Sequence, residues 1–231
     1  MIRVLIADDE RLFAELLRVA LTQADDIEVV GVAHDVRGAI AELTAKRPDV
    51  VIADYHMPDG TGADLARAVH TALPETAIIV LTGDPSATTL GDVARSGAVG
   101  HLTKERSYVD VVGAVRSAAS GEVLFSSSEL QRLLLSERTP DRTIAEPLTA
   151  RELEVLHLLA GGAGTAAAAT ALGISTATLR AHVQAVLRKL GAHSRLEAVA
   201  EAARLGLITL DSWTREGATS PRGGKVLVRG G

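Results

Sequence analysis

Apolar and polar positions along the 231-residue chain change period partway through it. Up to about Ser120, short apolar runs alternate with stretches that repeat every three to four residues. The runs are Arg3-Val-Leu-Ile-Ala7, Ile27-Glu-Val-Val-Gly-Val-Ala33, Val50-Val-Ile-Ala53, Ala77-Ile-Ile-Val-Leu81 and Val99-Gly-His-Leu102. Such runs predict strands buried on both faces of a parallel sheet. Between them, Leu12, Leu16, Leu17, Ala20 and Leu21 recur at helical spacing, giving a helix to about Gln23. Further helices are predicted over 35–46, ending before Pro48, over 62–72, stopped by Pro74, and over 86–96, ending at Gly97. Ser107 caps a fifth, to about Ser120. Alternating strands and helices predict an α/β doubly wound five-stranded parallel sheet over residues 1–120.

From Pro147 the pattern is purely helical. Thr149-Ala-Arg-Glu152 is a capping box that opens a helix with Leu153, Leu156, Leu159 and Ala160 inward, ending at Gly161-Gly162. Thr165 caps a second helix to Leu172, Ser175 a third over about 176–190, and Ser194-Arg-Leu-Glu197 begins a fourth, to about Leu205. A short helix, a Gly turn and a longer helix predict a small all-α helix-turn-helix domain over 147–210. Residues 121–146 join the two: Ser126-Ser-Ser-Glu129 signals a short linker helix, and Arg138-Thr-Pro-Asp-Arg-Thr reads as a tether. The Gly-, Ser- and Arg-rich tail 211–231, with Trp213, is expected to be disordered.

Charge sharpens this division. Residues 1–120 hold 11 Lys/Arg against 18 Asp/Glu, whereas 147–210 hold 6 against 4. An acidic first half and a mildly basic second half suggest metal or phosphoryl chemistry in one and a polyanion partner for the other. The chain has no cysteine, which excludes disulfides and thiolate metal sites. No apolar run is long enough for a membrane helix, and the N-terminus starts directly as a strand, so a cytoplasmic protein without a membrane partner is expected.

The strand ends carry the candidate chemistry. Strands one, three, four and five deliver Asp8-Asp9, Asp54, Thr82 and Lys104 to one sheet edge, the edge where open α/β sheets bind ligands. Clustered carboxylates repel one another unless a cation sits among them, and oxygen donors suit Mg²⁺. A carboxylate there can act as a nucleophile toward a phosphoryl group, with a lysine and a hydroxyl on the transferring oxygens. Each residue alone has a bland reading as a loop cap, a satisfied hydroxyl or a solvated charge. The four strand ends together favour the site.

With Asp8-Asp9, Asp54 followed by Met57-Pro58 and Gly62, Thr82-Gly83, and Gly97-Ala-Val-Gly-His-Leu-Thr-Lys104, residues 1–120 resemble the receiver domain of two-component response regulators. The resemblance implies a flavodoxin-like receiver in which Asp54 is the phosphoacceptor, Asp9 a direct Mg²⁺ ligand, Asp8 a ligand through water, and His56 a ligand through its backbone carbonyl. It also implies that Thr82 and Lys104 contact the phosphoryl oxygens, and that the donor is a phosphohistidine on a sensor histidine kinase. One position departs: the switch residue three before the lysine is usually Tyr or Phe, and here it is His101.

On the third helix of the second domain, Leu179, Val183, Val186, Leu187 and Leu190 share one face, and Ala177, Arg180, Ala181, Gln184 and Arg188 lie roughly opposite. Such a strip suits a DNA major groove and equally a solvated face. The surrounding motifs are Leu148-Thr-Ala-Arg-Glu-Leu-Glu-Val-Leu156, Ile174-Ser175, Thr178-Leu-Arg-Ala-His-Val183 and Leu187-Arg-Lys-Leu-Gly191. They resemble the LuxR-type DNA-binding domain of NarL/FixJ-class regulators. That resemblance implies base contacts from Arg180, Ala181 and Gln184 and phosphate contacts from Thr165, Thr176, Arg188 and Lys189. Here Thr165-Ala-Ala-Ala168 replaces the common Asn-Lys-Glu-Ile, which removes one lysine phosphate contact.

The expected function is a DNA-binding transcriptional regulator switched by phosphorylation of Asp54 and dimerising on a pseudo-palindromic site of double-stranded DNA. Two rivals stand beside it. One is a phosphorylation-independent regulator whose receiver binds protein partners, motivated by His101. The other is a Mg²⁺-dependent phosphatase or transferase using the same aspartates, against which the attached helix-turn-helix argues.

Overall fold

A computed structural model describes residues 1–83, 86–125, 129 and 146–208. The predicted linker helix, apart from Glu129, the tether and the tail lie outside the described residues. The first unit runs β1 (Ile2–Ala7), α1 (Arg11–Leu21), β2 (Ile27–Ala33), α2 (Val36–Lys46), β3 (Val50–Asp54), a hairpin of β4 (His56–Met57) and β5 (Gly60–Thr61), α3 (Gly62–Ala72), β6 (Ala77–Thr82), α4 (Ala87–Arg95), β7 (Gly100–Thr103) and α5 (Tyr108–Ser120). The five long strands pair in parallel in the order β2-β1-β3-β6-β7. The order reverses beside β1, so β1 and β3 open a crevice at their carboxyl ends.

Every side chain of β3 and β6 is buried, as their unbroken apolar runs require. The helices end where local chemistry ends them. Ser107 accepts from the Asp110 N–H while Asp110 reaches back, closing a capping box at α5. Thr61 and Asp64 do the same at α3. The hairpin between β3 and α3 is an addition to the sequence-based expectation. Its strands are two residues long, too short to show an alternation.

The second unit is α6 (Ala150–Ala160), α7 (Thr165–Leu172), α8 (Thr176–Leu190) and α9 (Arg195–Arg204). Leu179, Val183, Val186, Leu187 and Leu190 of α8 are buried, and its Arg180, Ala181, Gln184 and Arg188 are exposed. One side of the sheet packs against α1 and α5. The core on the other side, under α2, α3 and α4, is continuous with the core of the helical unit.

The two units meet closely. Gly121, at φ +82° after the last turn of α5, lies against Thr165 at the start of α7, and a Cβ there would stand 2.3 Å from Thr165 Oγ1. Gly164 faces α5 in return: its Cβ would stand 2.8 Å from the Ser120 carbonyl oxygen. Arg195 donates to the Gly121 carbonyl at 2.8 Å and to Thr165 Oγ1 at 3.0 Å, and Ser194 Oγ donates to the Ala94 carbonyl of α4. The carbonyl end of α5 thus abuts the amide end of α7, a favourable alignment of helix dipoles.

Candidate functional site

The sheet edge gathers the expected residues. Asp8 follows β1, Asp54 ends β3, Thr82 ends β6 and Lys104 follows β7. The Lys104 N–H donates to the Thr82 carbonyl at 3.0 Å, which seats the lysine beside the threonine. Lys104 Nζ lies 3.1 Å from Asp54 Oδ2, 3.1 Å from Asp8 Oδ2 and 2.7 Å from Glu10 Oε1, with the Phe13 ring beneath it at 4.7 Å. Asp8 is 1 % exposed, Asp54 5 % and Thr82 fully buried.

Burial pushes the carboxyl groups of Asp8 and Asp54 above the usual aspartate range, against the hydrogen bonds from Lys104 that favour their charge. Asp54 adds its repulsion to Asp8, and Asp9 adds its own to Asp54. Burial also works against the charge of Lys104, but its bonds to Glu10, Asp54 and Asp8 outweigh burial and hold it above the ordinary lysine value. The site is therefore an acidic, desolvated pocket with a single ammonium for three carboxylates.

Asp8, Glu10 and Asp54 each place one carboxylate oxygen within 4.8 Å of the others. Asp8 Oδ2 is buried and faces only the Lys104 ammonium, at 3.1 Å. A buried carboxylate oxygen facing a single ammonium, among oxygen-only donors, fits a hard divalent cation.

Asp8 Oδ1 accepts from the Glu10 N–H at 2.9 Å, turning the chain so that Glu10, not among the expected ligands, swings back onto Lys104. Asp9 is left exposed and outside that carboxylate group. The His56 ring is also exposed, and the backbone N–H of His56 bonds the Asp54 carboxylate. His101 is 6 % exposed, with Nδ1 3.1 Å from Glu129 Oε1 and Nε2 without a hydrogen-bond partner. Next to Asp54, the Tyr55 hydroxyl donates to Asp92 of α4 at 3.1 Å, and Arg67 of α3 ties Asp92 to Asp64. No sequence signal marks this network, because its members are far apart in the chain.

On the helical unit, Arg180, Ala181, Gln184, Thr176 and Arg188 are exposed on α8. Arg180 forms an ion pair with Glu75 of the first unit, and Thr165 is buried under α5, so this arrangement covers part of the face. Lys189 is placed apart from the expected phosphate contacts. Its side chain is 5 % exposed, 2.8 Å from Glu152 Oε2 and 3.1 Å from the Pro147 carbonyl. Lys189 closes the α6 capping box against α8, and its hydrogen bond, with that of the Thr149 N–H, holds the Glu152 carboxyl down to about 2. Lys and Arg side by side in sequence point to different sides of a helix, and here only Arg188 faces out.

Residues 4–116 match the family model of the response regulator receiver domain, and residues 146–202 match that of the bacterial regulatory proteins of the luxR family. The chain is 34 % identical over 212 residues to the transcriptional regulatory protein YxjL of Bacillus subtilis, covering 90 % of this chain and 97 % of that one. It is 34 % identical over 207 residues to the probable transcriptional regulatory protein NarL of Mycobacterium tuberculosis, covering 90 % and 96 %. The structure resembles the receiver domain of that NarL, with a TM-score of 0.51 and 32 % identity over 52 % of this chain and 97 % of the other. It also resembles the response regulator RcsB in complex with DNA, with a TM-score of 0.53 and 26 % identity over 90 % and 99 %.

Proposed function

The chain belongs to the two-component response regulators that join a receiver domain to a LuxR-type DNA-binding domain, and from that membership we propose that phosphorylation of Asp54 switches its binding to DNA. It is a DNA-binding transcriptional regulator rather than a classical enzyme. The observation that carries the proposal is the Asp54 carboxylate, buried at the sheet edge with Lys104 Nζ at 3.1 Å.

In this reading an Asp54 oxygen attacks the phosphorus of a phosphohistidine on a sensor histidine kinase, the P–N bond breaks, and an acyl phosphate forms on Asp54. Lys104 neutralises charge on the transferred oxygens, and the Thr82 hydroxyl donates to one of them. Asp8, Glu10 and Asp54 would hold Mg²⁺, with Asp9 close enough to act on the Asp54 charge; the ion would supply charge neutralisation for the transferring group. Tyr55 and Asp92 link the residue after Asp54 to α4, and α4 carries the carbonyl that Ser194 of the DNA-binding unit bonds. A shift of α4 on phosphorylation would loosen that contact and release Arg180 and Thr165 to join the exposed Ala181, Gln184, Thr176 and Arg188 on DNA.

Homodimerisation on a pseudo-palindromic site completes the proposal. Leu12, Leu16 and Val19 lie exposed on one face of α1, and Val109 is exposed on α5, which packs against α1. These apolar residues suit a two-fold contact between two receivers. The protein acts in the cytoplasm in this reading, and no helix of the described residues is long and apolar enough to cross a membrane. The test is incubation with Mg²⁺ and acetyl phosphate: a phosphoryl adduct on the wild type and none on Asp54→Ala supports the assignment, and an adduct of equal size on both refutes it.

One observation favours the second reading. His101 is buried and held by Glu129, so the ring at the switch position already has a partner in the linker. A receiver fixed this way would act through protein contacts without phosphorylation, and DNA binding that acetyl phosphate leaves unchanged would establish it.

A further inference from the structure

Between the receiver and the DNA-binding unit lies a cavity of about 570 Å³, within the roughly 300–1,000 Å³ of small-molecule sites. His70 and Glu75 line it from the receiver side, and Thr176, Arg180, Gln184 and Arg195 from the helical side. Its wall therefore holds two guanidinium groups and an imidazole against one carboxylate. That carboxylate, Glu75, is exposed and already engaged with Arg180.

Arg195 is the decisive residue. Its guanidinium donates to the Gly121 carbonyl and to Thr165 Oγ1, both neutral oxygens. Burial lowers its pKa, and the charge of Arg180 lowers it further against a smaller opposing effect from Glu75. His70 is depressed in the same way, by burial and then by His193 and Arg195. Beyond burial, the repulsion of Arg195 by Arg180 and of His70 by His193 and Arg195 reflects cationic groups gathered around a partly enclosed space.

We propose that this cavity binds a small phosphorylated anion, of about nucleoside-monophosphate size, between Arg180 and Arg195, and that the anion holds the two units in the closed arrangement. Paired guanidinium forks match a dianion with several oxygens. The hydroxyl of Thr176 and the amide of Gln184 add neutral donors. Backbone and small side chains, Ala98 and Val99 among them, give an apolar surface for the rest of the ligand. Because walls come from both units, the site exists only while they are closed. The anion would take the arginine that DNA needs and so oppose DNA binding. That consequence rests on the reading of Arg180 as a DNA contact; binding of the anion does not.

The test uses the full chain in EDTA without Mg²⁺, which takes the acidic sheet edge out of play. Adenosine monophosphate, inorganic pyrophosphate and adenosine are titrated by calorimetry at constant ionic strength. The expected result is saturable one-to-one binding of the charged probes and none of adenosine. Loss of a charged hydrogen-bond partner weakens binding by about tenfold or more in Arg195→Gln. Ala119→Trp, which fills the cavity from α5 and removes no charge, abolishes it; melting curves without ligand establish that both variants fold. Binding of pyrophosphate alone assigns the site to an inorganic anion, and tighter binding of the nucleotide assigns it to a nucleotide. Charged probes that bind no better than adenosine, or equally well in both variants, overturn the proposal. A site that binds the nucleotide while DNA affinity stays constant keeps the cavity assignment and removes its antagonism of DNA.

Discussion

Replacing Gly121 by alanine separates the closed arrangement from the fold of either unit. The new Cβ would stand 2.3 Å from Thr165 Oγ1 and 3.0 Å from the Thr165 backbone nitrogen, both inside ordinary contact at 3.4 Å. Thr165 has little freedom to yield, because its hydroxyl accepts from Arg195 and its residue opens α7. Overpacking of this kind costs about 1–3 kcal/mol, here only while the units touch. The left-handed backbone at φ +82° adds about 1–2 kcal/mol, but to open and closed states alike. The two effects are therefore read separately. The melting temperature of the receiver reports the backbone cost. The closed-to-open ratio falls by about 5–150-fold. Small-angle scattering on the unphosphorylated full chain should show a larger radius of gyration. Fluorescence anisotropy at fixed salt should show tighter DNA binding, up to the limit set by a fully open chain. A variant that melts lower yet keeps the wild-type scattering profile and DNA affinity would refute the claim that the α5–α7 contact covers the DNA face.

Other consequences are independent of that contact. Glu75→Ala frees Arg180, but the pair is exposed, so unphosphorylated DNA binding should tighten by no more than about fivefold, and a larger gain would show that Glu75 does more than pair. Burial raises the folded pKa of Asp8 and Asp54 above the unfolded value of 3.8, so the penalty is absent below that pH, grows as pH rises toward the folded values and is full above them. Mg²⁺ at ten times its dissociation constant should then stabilise the chain by about 1.4 kcal/mol at pH 7 and progressively less in acid, with little effect on Asp54→Ala; melting curves across pH measure this. Glu152 has a folded pKa of about 2, below its unfolded value, so its stabilisation is present above about pH 4.5 and is lost as pH falls toward 2. Glu152→Gln should remove that acid dependence. Lys189→Ala should lower the melting temperature, whereas loss of a simple phosphate contact would leave melting unchanged and reduce only the salt dependence of DNA binding.

Much of this was legible in sequence, for physical reasons. The unbroken runs of β1, β3 and β6 mark strands buried on both faces, and the residue that follows each run must emerge at one sheet edge. Asp8, Asp54 and Thr82 were therefore placed together without any contact being known. The hydrophobic face of α8 likewise fixed which side Arg180 and Gln184 occupy. What the sequence does not announce depends on local geometry or on distant pairing. Glu10 enters the site through a turn made by Asp8, and Asp9 leaves it by the same turn. Lys189 is taken by Glu152, thirty-seven positions away, and nothing in a helical period announces an ion pair at that range. The meeting of α5 with α7 rests on Gly121 and Gly164, whose small size shows its purpose only once the two helices face each other.

The most direct test of the account combines intact mass, sedimentation and DNA binding on one sample treated with Mg²⁺ and acetyl phosphate, beside Asp54→Ala. The account predicts a phosphoryl adduct on the wild type, a shift toward dimer and tighter DNA binding, with all three lost in the variant. An adduct on Asp54 that leaves both assembly and DNA affinity unchanged would contradict it, and would move the switch from the phosphoryl group to whatever protein contacts His101 and the linker.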